Sequence, residues 1–354
     1  MKKNEIIEVA NKVFDIDFRK FMPKVYTKED FYKDHFVCVD NNKIIGLSGN
    51  LINNIEVNDK KYKYSFIGTV STLVEYRNKG VMQNILKEID KENINNEVVF
   101  SMLTGLRKRY GFHGFEKATL RINYEISEYE IHHLKIKEGV SIKEYDASFL
   151  DEYYKIYKDN HVLCFRKKED FFLSLLKEGV ILFGIFYNND LKGYFAYSKE
   201  EKSIIEIYSY DTSLYESVIR LLIENSDIKG INIYINPLDK NNVLELDKIS
   251  EERILIDYTH IKVYKMNEFI EFLVNLNLKI RKINNLNEVY KIDDEIIEIC
   301  INNQKVEVKE VNKDYIREFT KQEFVRFALG FNNLYYNESN LFPLLFDVNE
   351  ADLF

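Results

Sequence analysis

The residues best suited to bind a ligand form a short basic turn, Arg77-Asn78-Lys79-Gly80. Before the turn, Thr69 to Val74 is rich in β-branched and apolar residues with little alternation, which predicts a buried strand. After it, apolar residues recur at helical spacing to about Asn93 and predict a helix. The N–H groups at the start of such a helix point outward, and the helix dipole adds partial positive charge. The turn therefore predicts a site for an anion such as a phosphate.

Each residue of this turn has a predicted part in holding the anion. Arg77 and Lys79 would supply countercharge, and Gly80 would let the backbone approach closely. The predicted ligands are the basic side chains and the N–H groups that follow them, namely Arg77, Asn78, Lys79, Gly80, Val81 and Met82. A solvated surface turn would show the same composition, so this motif alone leaves both interpretations open.

A second motif lies about 30 residues further on, after a continuous apolar strand from Glu97 to Leu103. It reads Tyr110-x-x-x-Gly114-Phe115-Glu116. Together the two motifs resemble those of the GNAT acetyltransferases, whose phosphate loop reads Arg/Gln-x-x-Gly-x-Gly/Ala and whose later signature reads Tyr-x-x-x-Gly-Phe-Glu. The loop departs from the general family at Met82, where a small residue is expected. A large apolar residue there resembles the Eis-like (enhanced intracellular survival) acetyltransferases.

This resemblance implies acetyl-CoA as co-substrate, no metal, and transfer of the acetyl group to a primary amine by direct attack in a ternary complex. The acceptor would be a cationic small molecule, such as a polyamine or an aminoglycoside, or a lysine side chain. The strand before the loop would hold the pantetheine arm through the backbone of Ser71 and Leu73. A backbone N–H near Thr72 or Leu73 would stabilise the oxyanion.

The resemblance also suggests an acid and a base. Tyr110 is the candidate general acid, because the motif tyrosine of many GNAT enzymes lies beside the CoA sulfur. Eis-like enzymes are expected to use a tyrosine directly after the motif glycine, but Phe115 stands there and cannot donate a proton. A water, or departure of the thiolate without an acid, stays open beside Tyr110. The predicted base is the α-carboxylate of Phe354, because Eis-like enzymes direct their terminal carboxylate into the active site.

Length and composition limit the class of protein. The chain has 354 residues, enough for two or three domains, and 45% of them are hydrophobic. The net charge of −8 argues against a nucleic-acid partner. Three widely spaced cysteines predict neither a disulfide framework nor a metal cluster. The amino terminus lacks a signal-peptide core, and the longest apolar run, near Gly179 to Tyr187, is too short for a bilayer. We therefore expect a cytoplasmic protein with no membrane partner.

The order of elements extends the resemblance to most of the chain. A helical segment, an antiparallel meander with turns at Asn41-Asn42 and Asn58-Asp59, the basic loop and a helix follow the order of a GNAT domain. A similar order begins again near Val140, which suggests an internal duplication. Its loop, Ser209 to Ser213, has an acid and no basic residue or glycine, so we expect no second CoA site. A last helix–meander–helix segment resembles a sterol-carrier-type domain.

The predicted fold class is therefore α+β (α/β): tandem GNAT folds with mixed, mostly antiparallel sheets, followed by a small sterol-carrier-like α/β domain. The predicted domains are residues 1–130 (catalytic), 131–262 (degenerate) and 263–354. From the resemblance we also expect a homo-oligomer, specifically a hexamer.

Two other functions remain open. One is a non-catalytic acyl-CoA-binding protein, which Phe115 in place of tyrosine favours. The other is a tandem-GNAT acyl or aminoacyl transferase with a different acceptor. Those proteins normally lack a working CoA loop in their first domain, so the turn from Arg77 to Gly80 argues against this alternative.

Overall fold

The computed structural model describes residues 3–160, 163, 166–226, 228–330, 339–349 and 352. It divides into two compact units. The first comprises the chain up to Thr119 together with Asp257–Phe346, and the second comprises Leu120–Ile256 with the segment that begins at Asp347. The division into three domains stays a prediction. Among the described residues, no helix is both long and apolar enough to cross a membrane.

The first unit is built on a six-stranded sheet. In order across the sheet, its strands are β1 (His35–Asp40), β2 (Lys43–Val57), β3 (Lys60–Thr72), β4 (Phe100–Leu103), β13 (His260–Val263) and β5 (Glu116–Lys117). The strands β3 and β4 pair parallel, and the other neighbours pair antiparallel. The turns before β2 and β3 carry positive φ at Asn41, Asn42, Asn58 and Asp59, as their residue types predict.

Seven α-helices and a second, four-stranded sheet complete the described part of the first unit. The helices are α1 (Lys3–Phe14), α2 (Phe18–Phe21), α3 (Pro23–Tyr26), α4 (Val81–Asn95), α5 (Arg107–Gly111), α11 (Met266–Asn277) and α12 (Lys321–Leu329). The four strands, in sheet order, are β16 (Lys305–Glu310), β15 (Glu295–Asn302), β14 (Leu286–Ile292) and β17 (Arg317–Phe319).

The second unit is built on a seven-stranded sheet. In sheet order its strands are β12 (Glu252–Asp257), β6 (Leu120–Ile126), β11 (Ile231–Ile235), β10 (Ser203–Ser209), β9 (Asp190–Ser198), β8 (Val180–Tyr187) and β7 (Val140–Glu144). Its helices are α6 (Glu128–Ile131), α7 (Leu150–Asn160), α8 (Lys168–Leu175), α9 (Tyr215–Glu224) and α10 (Lys240–Leu246).

The topology of the two large sheets is equivalent. In each, an antiparallel meander leads to one parallel pair, β3–β4 or β10–β11, with a helix in the connection. The next position is filled by a strand from elsewhere in the chain: β13 beside β4, and β6 beside β11. This confirms the predicted mixed α/β fold with mostly antiparallel sheets, and the repeated order agrees with an internal duplication.

Candidate active site

The basic loop has the geometry of an anion site. A short 3-10 turn, Val74–Tyr76, leaves β3, and α4 begins at Val81 with Gly80 as its N-cap. Asn78 and Gly80 have φ of 62° and 77°. A Cβ on Gly80 would meet no atom within 4 Å, so the left-handed backbone, rather than crowding, favours glycine there. The residues from Arg77 to Gly80 are all exposed.

The start of α4 presents donors to this loop. The first intrahelical bond runs from the Asn84 N–H to the Gly80 carbonyl, at 2.9 Å. The N–H groups of Val81, Met82 and Gln83 precede it and have no carbonyl one turn earlier in the helix. Glycine has no side chain that could cap them. Donors without an intrahelical partner, a helix dipole and two nearby cations can together bind a phosphate group.

Close packing of α4 on β2 fixes the position of this helix start. A Cβ on Gly46 of β2 would lie 2.5 Å from Val81 Cγ1 and 2.9 Å from the Ser71 carbonyl oxygen. Only glycine therefore lets the first turn of α4 approach the sheet this closely. No local pattern predicts this contact, because Gly46 lies 35 positions before Val81 in the chain.

Next to the loop, β3 separates from β4. The last parallel pair is Phe66 with Met102, but β3 continues to Thr72. We call residues 67–72 the open edge of β3, because their side of the strand lacks a described ladder partner beyond that pair. Backbone donors and acceptors along such an edge can pair with an extended ligand.

The sheet register decides which residues turn their backbone N–H and carbonyl groups toward this edge. Before it, the Val99 N–H donates to the Lys63 carbonyl, so odd-numbered residues of β3 face β4. At the edge, the ladder with β2 shifts between Leu47 and Gly49, which places Thr69 and Val70 opposite Ser48 alone. This β-bulge inserts one residue and reverses the alternation. Beyond it, even-numbered residues face the open edge.

The bulge corrects the predicted pantetheine contacts. The Leu73 N–H donates to the Ile45 carbonyl at 2.9 Å, and the Leu73 carbonyl accepts from the Tyr76 N–H at 2.9 Å. By alternation, Ser71 also faces β2, opposite Leu47. The backbone bonds predicted for Ser71 and Leu73 are therefore wrong. The backbone groups of Thr72 do face the open edge, and so do those of Val70.

Tyr110 lies in α5 and is buried. Its ring packs edge-on against Phe115, with centroids 6.3 Å apart, and lies 6.3 Å from the ring of His260. A Cβ on Gly105 would lie 2.5 Å from Tyr110 Cε2, so the glycine makes room for this ring. Burial raises the pKa of the Tyr110 phenol. The group therefore stays protonated at neutral pH, as a proton donor must.

The other residues of the second motif are structural. Phe115 is buried in the core of the first sheet with Leu103, Val81 and Tyr110. Glu116 is buried as well and accepts from Arg107 Nε at 2.8 Å and from Arg326 of α12. Burial alone would raise the pKa of Glu116, but these hydrogen bonds and charges outweigh it and leave the pKa lowered. The motif carboxylate thus joins α5, β5 and α12.

Sequence reasoning missed His260, which β13 brings beside the end of β4. It pairs with Leu103 in the ladder, and its side chain is completely buried. Neither ring nitrogen makes a hydrogen bond to the described residues. Burial lowers the pKa of His260 to about 4, so the ring is neutral at pH 7. No local signal could have found it, because it lies 150 positions after Tyr110 in the chain.

Phe354, the predicted source of the base, lies outside the described residues. Within the described ranges, no cluster of histidine, cysteine, aspartate or glutamate could hold a metal ion.

The equivalent edge in the second unit is already bonded. Beyond the last β10–β11 pair, Ile204 with Ile233, the carbonyls of Ile205 and Ile207 accept from side chains. Asn349 Nδ2 donates to the Ile205 carbonyl at 3.0 Å, and Asn242 Nδ2 donates to the Ile207 carbonyl at 3.1 Å. Each carbonyl therefore has a donor from the unit itself.

Comparisons with known proteins agree with this geometry. Residues 2–118 match the family model described as an acetyltransferase (GNAT) domain. A comparison with curated proteins found no match to the sequence.

Solved structures share the fold along nearly the whole chain. A probable N-acyltransferase from Enterococcus faecalis V583 has 15% identity and a TM-score of 0.69, covering 99% of this chain and 92% of that one. A GCN5-related N-acetyltransferase from Anabaena variabilis ATCC 29413 has 14% identity and a TM-score of 0.68, covering 92% and 87%. Eis1 from Mycobacterium abscessus has 12% identity and a TM-score of 0.63, covering 93% and 87%.

At these identities the structures establish a shared fold, and the sequence match adds the family of the first domain. The match to the family model assigns residues 2–118 to the GNAT acetyltransferase domain family, and this supports an acyltransferase activity.

Proposed function

We propose that the first domain binds acetyl-CoA and transfers its acetyl group to a primary amine. The carrying observation is the open edge of β3, followed by an exposed basic loop and a start of α4 with no side-chain cap. The loop from Arg77 to Met82 would hold the pyrophosphate. The backbone groups of Val70 and Thr72 would pair with the pantetheine arm, which is extended and carries amides of its own.

In this proposal a neutral amine attacks the thioester carbonyl, a C–N bond forms and an oxyanion develops. A backbone N–H on the open edge stabilises the oxyanion. The intermediate then collapses, the C–S bond breaks, and Tyr110 protonates the departing thiolate. The attacking nitrogen loses its proton to a base, for which the α-carboxylate of Phe354 is the candidate. The products are the N-acetylated amine and CoA with a free thiol.

The proposed acceptor is a primary amine of a cationic small molecule, such as a polyamine or an aminoglycoside, or a lysine side chain. A free alkyl amine has a pKa near ~10, so a base or a desolvated pocket must favour its neutral form. The proposal also places the chain among Eis-like enzymes, with a sterol-carrier-type last segment and a hexameric assembly. A non-catalytic acyl-CoA-binding protein is the second candidate, because Phe115 stands where Eis-like enzymes carry tyrosine.

The first experiment mixes the purified protein with acetyl-CoA and a panel of polyamines, aminoglycosides and lysine peptides, and follows release of free thiol. Calorimetry measures acetyl-CoA binding in parallel. Thiol release with one class of amine supports the transferase. Binding without release from any amine supports the second candidate. Failure to bind acetyl-CoA contradicts both.

A pair of glycine variants tests the loop directly. Gly80→Val should weaken acetyl-CoA binding by at least tenfold, because valine resists a φ of 77°. Gly179 in the second unit has a φ of 79° and equally open surroundings, so Gly179→Val is a matched control. Equal loss of binding in the two variants would contradict the assignment of the loop.

A further inference from the structure

The backbone of Thr69 is strained at the point where the open edge begins. Thr69 is the bulge residue of β3, with a φ of 52°, and it is buried. β-branched residues rarely adopt this left-handed conformation, which glycine, asparagine and aspartate accept more readily. Fourteen other described non-glycine residues have positive φ, and most of them are asparagine or aspartate in turns. Thr69 lies inside a strand, so its neighbours must hold it there.

A buried series of hydrogen bonds between the side chains of Thr69, Tyr26 and His35, which we call the clamp, does so. Tyr26 Oη at the end of α3 lies 2.7 Å from Thr69 Oγ1 and 3.0 Å from His35 Nε2. His35 Nδ1 lies 2.8 Å from the Phe31 carbonyl oxygen. This carbonyl can only accept, so Nδ1 carries the proton and Nε2 is the acceptor nitrogen of the neutral ring. All three side chains of the clamp are buried.

Aromatic packing fixes the position of Tyr26, the middle residue of the clamp. The Tyr26 ring packs against Phe18 and Phe31, with both centroids 5.2 Å away, and against His35 at 5.4 Å. Burial lowers the pKa of His35 to about 4, so the ring keeps its neutral form at pH 7. Tyr26 therefore has little freedom to move away from Thr69.

We propose that Tyr26, held by His35, is a positioning residue that keeps Thr69 in its left-handed conformation and so selects Val70 and Thr72 to face the acyl-CoA. Without the bulge, the alternation of β3 would turn Ser71 and Leu73 to the open edge instead. The clamp thus determines which backbone N–H groups meet the thioester. This inference rests on the proposed function, because it concerns the same edge.

The test compares Tyr26→Phe, Thr69→Gly and the double variant. Tyr26→Phe should lower kcat for acetyl transfer by about 10- to 100-fold. The Kd for acetyl-CoA should rise by less than about tenfold, because the pantetheine contacts of Val70 and Thr72 weaken while the phosphate loop is untouched. Glycine adopts positive φ without strain and needs no clamp. In the Thr69→Gly background, adding Tyr26→Phe should therefore change kcat by less than about threefold.

Hydrogen exchange gives a readout that does not depend on activity. Amides of residues 66–73 should exchange at least tenfold faster in Tyr26→Phe, and Thr69→Gly should remove the difference between tyrosine and phenylalanine at position 26. Tyr290→Phe is the control, since it removes a buried hydroxyl bond to Glu288 from the four-stranded sheet. It should change neither kcat nor exchange at 66–73.

A loss in Tyr26→Phe that persists undiminished beside Thr69→Gly would overturn the clamp and make Tyr26 a packing residue only. Unchanged kcat and unchanged exchange in Tyr26→Phe would overturn it as well. Failure of the wild-type protein to bind acetyl-CoA would instead reject the proposed function, while the exchange experiment would still test the clamp.

Discussion

At the scale of single residues, the candidate acid depends on a glycine five positions earlier. Gly105 has a φ of 145°, and the Tyr110 ring occupies the space where its Cβ would stand. The motif tyrosine is thereby held in the core beside Phe115 and His260. Burial raises the pKa of the Tyr110 phenol, so the proton is still present at neutral pH when the thiolate leaves.

Tyr110→Phe should lower kcat for acetyl transfer by about 10²-fold, at the lower end of what general acids contribute. The Kd for acetyl-CoA should stay nearly unchanged, because the phenol would act only on the leaving thiolate. Steady-state kinetics with the amine found in the thiol-release screen measures the first quantity, and calorimetry measures the second.

Tyr153→Phe is the matched control for this variant. Tyr153 is also buried, and its hydroxyl has no hydrogen-bond partner among the described residues. Equal kcat for Tyr110→Phe and the wild type would remove Tyr110 from the mechanism and leave water, or an unassisted thiolate, in its place.

At the scale of elements, the second unit contains a buried ionic cluster that connects α8 and β10 with the last described residue. Arg166, just before α8, donates to both carboxylate oxygens of Glu206 on β10 and to Asp352. The Tyr194 hydroxyl also donates to Glu206, at 2.6 Å. The side chains of Arg166 and Glu206 are completely buried. The cluster therefore holds Asp352 in the second unit.

Arg166→Met should destabilise the protein by about 3–5 kcal/mol, because it leaves two carboxylates buried without their cation. Arg166→Met/Glu206→Gln should recover part of this loss, since one buried negative charge is then removed. Urea unfolding followed by circular dichroism measures both. Lys248→Met breaks an exposed pair with Glu245 and should cost less than about 1 kcal/mol. A similarly small effect of Arg166→Met would show that the cluster contributes little to stability.

At the scale of the whole molecule, the two units share one topology, and we expect each unit to have a different role. The first unit keeps an open edge and a basic loop. In the second, Asn242 and Asn349 donate to the carbonyls of the equivalent edge, and the loop before α9 has Asp211 in place of basic residues. We therefore expect the second unit to serve a structural role.

The chain should accordingly bind one acetyl-CoA, with a stoichiometry near one per chain in calorimetry. Gly80→Val should weaken all of that binding by at least tenfold, because no second, unaffected site would remain. A stoichiometry of two, or half of the binding retained in Gly80→Val, would contradict the assignment of the second unit.

The local sequence determined the elements and the anion loop. Asparagine turns, the strand before Arg77, the helix after Gly80 and the order of the first domain all followed from periodicity and turn chemistry. The structure confirms the turns, the strand and the helix because they depend on interactions between residues close in the chain, and anion binding at the loop stays a prediction. The same holds for the repeated order of elements in the second unit.

The tertiary structure alone decided which backbone groups face the open edge of β3 and which side chains surround Tyr110. The resemblance assigned the pantetheine contacts to Ser71 and Leu73, but the bulge at Thr69 reverses the alternation of β3 and turns their backbone groups toward β2. No local rule places a bulge at a threonine, because Tyr26 and His35, far away in the chain, hold it there. His260 likewise reaches Tyr110 only through the pairing of β13 with β4. Contacts between distant residues depend on the packed sheet as a whole, and this is why local patterns could not predict them.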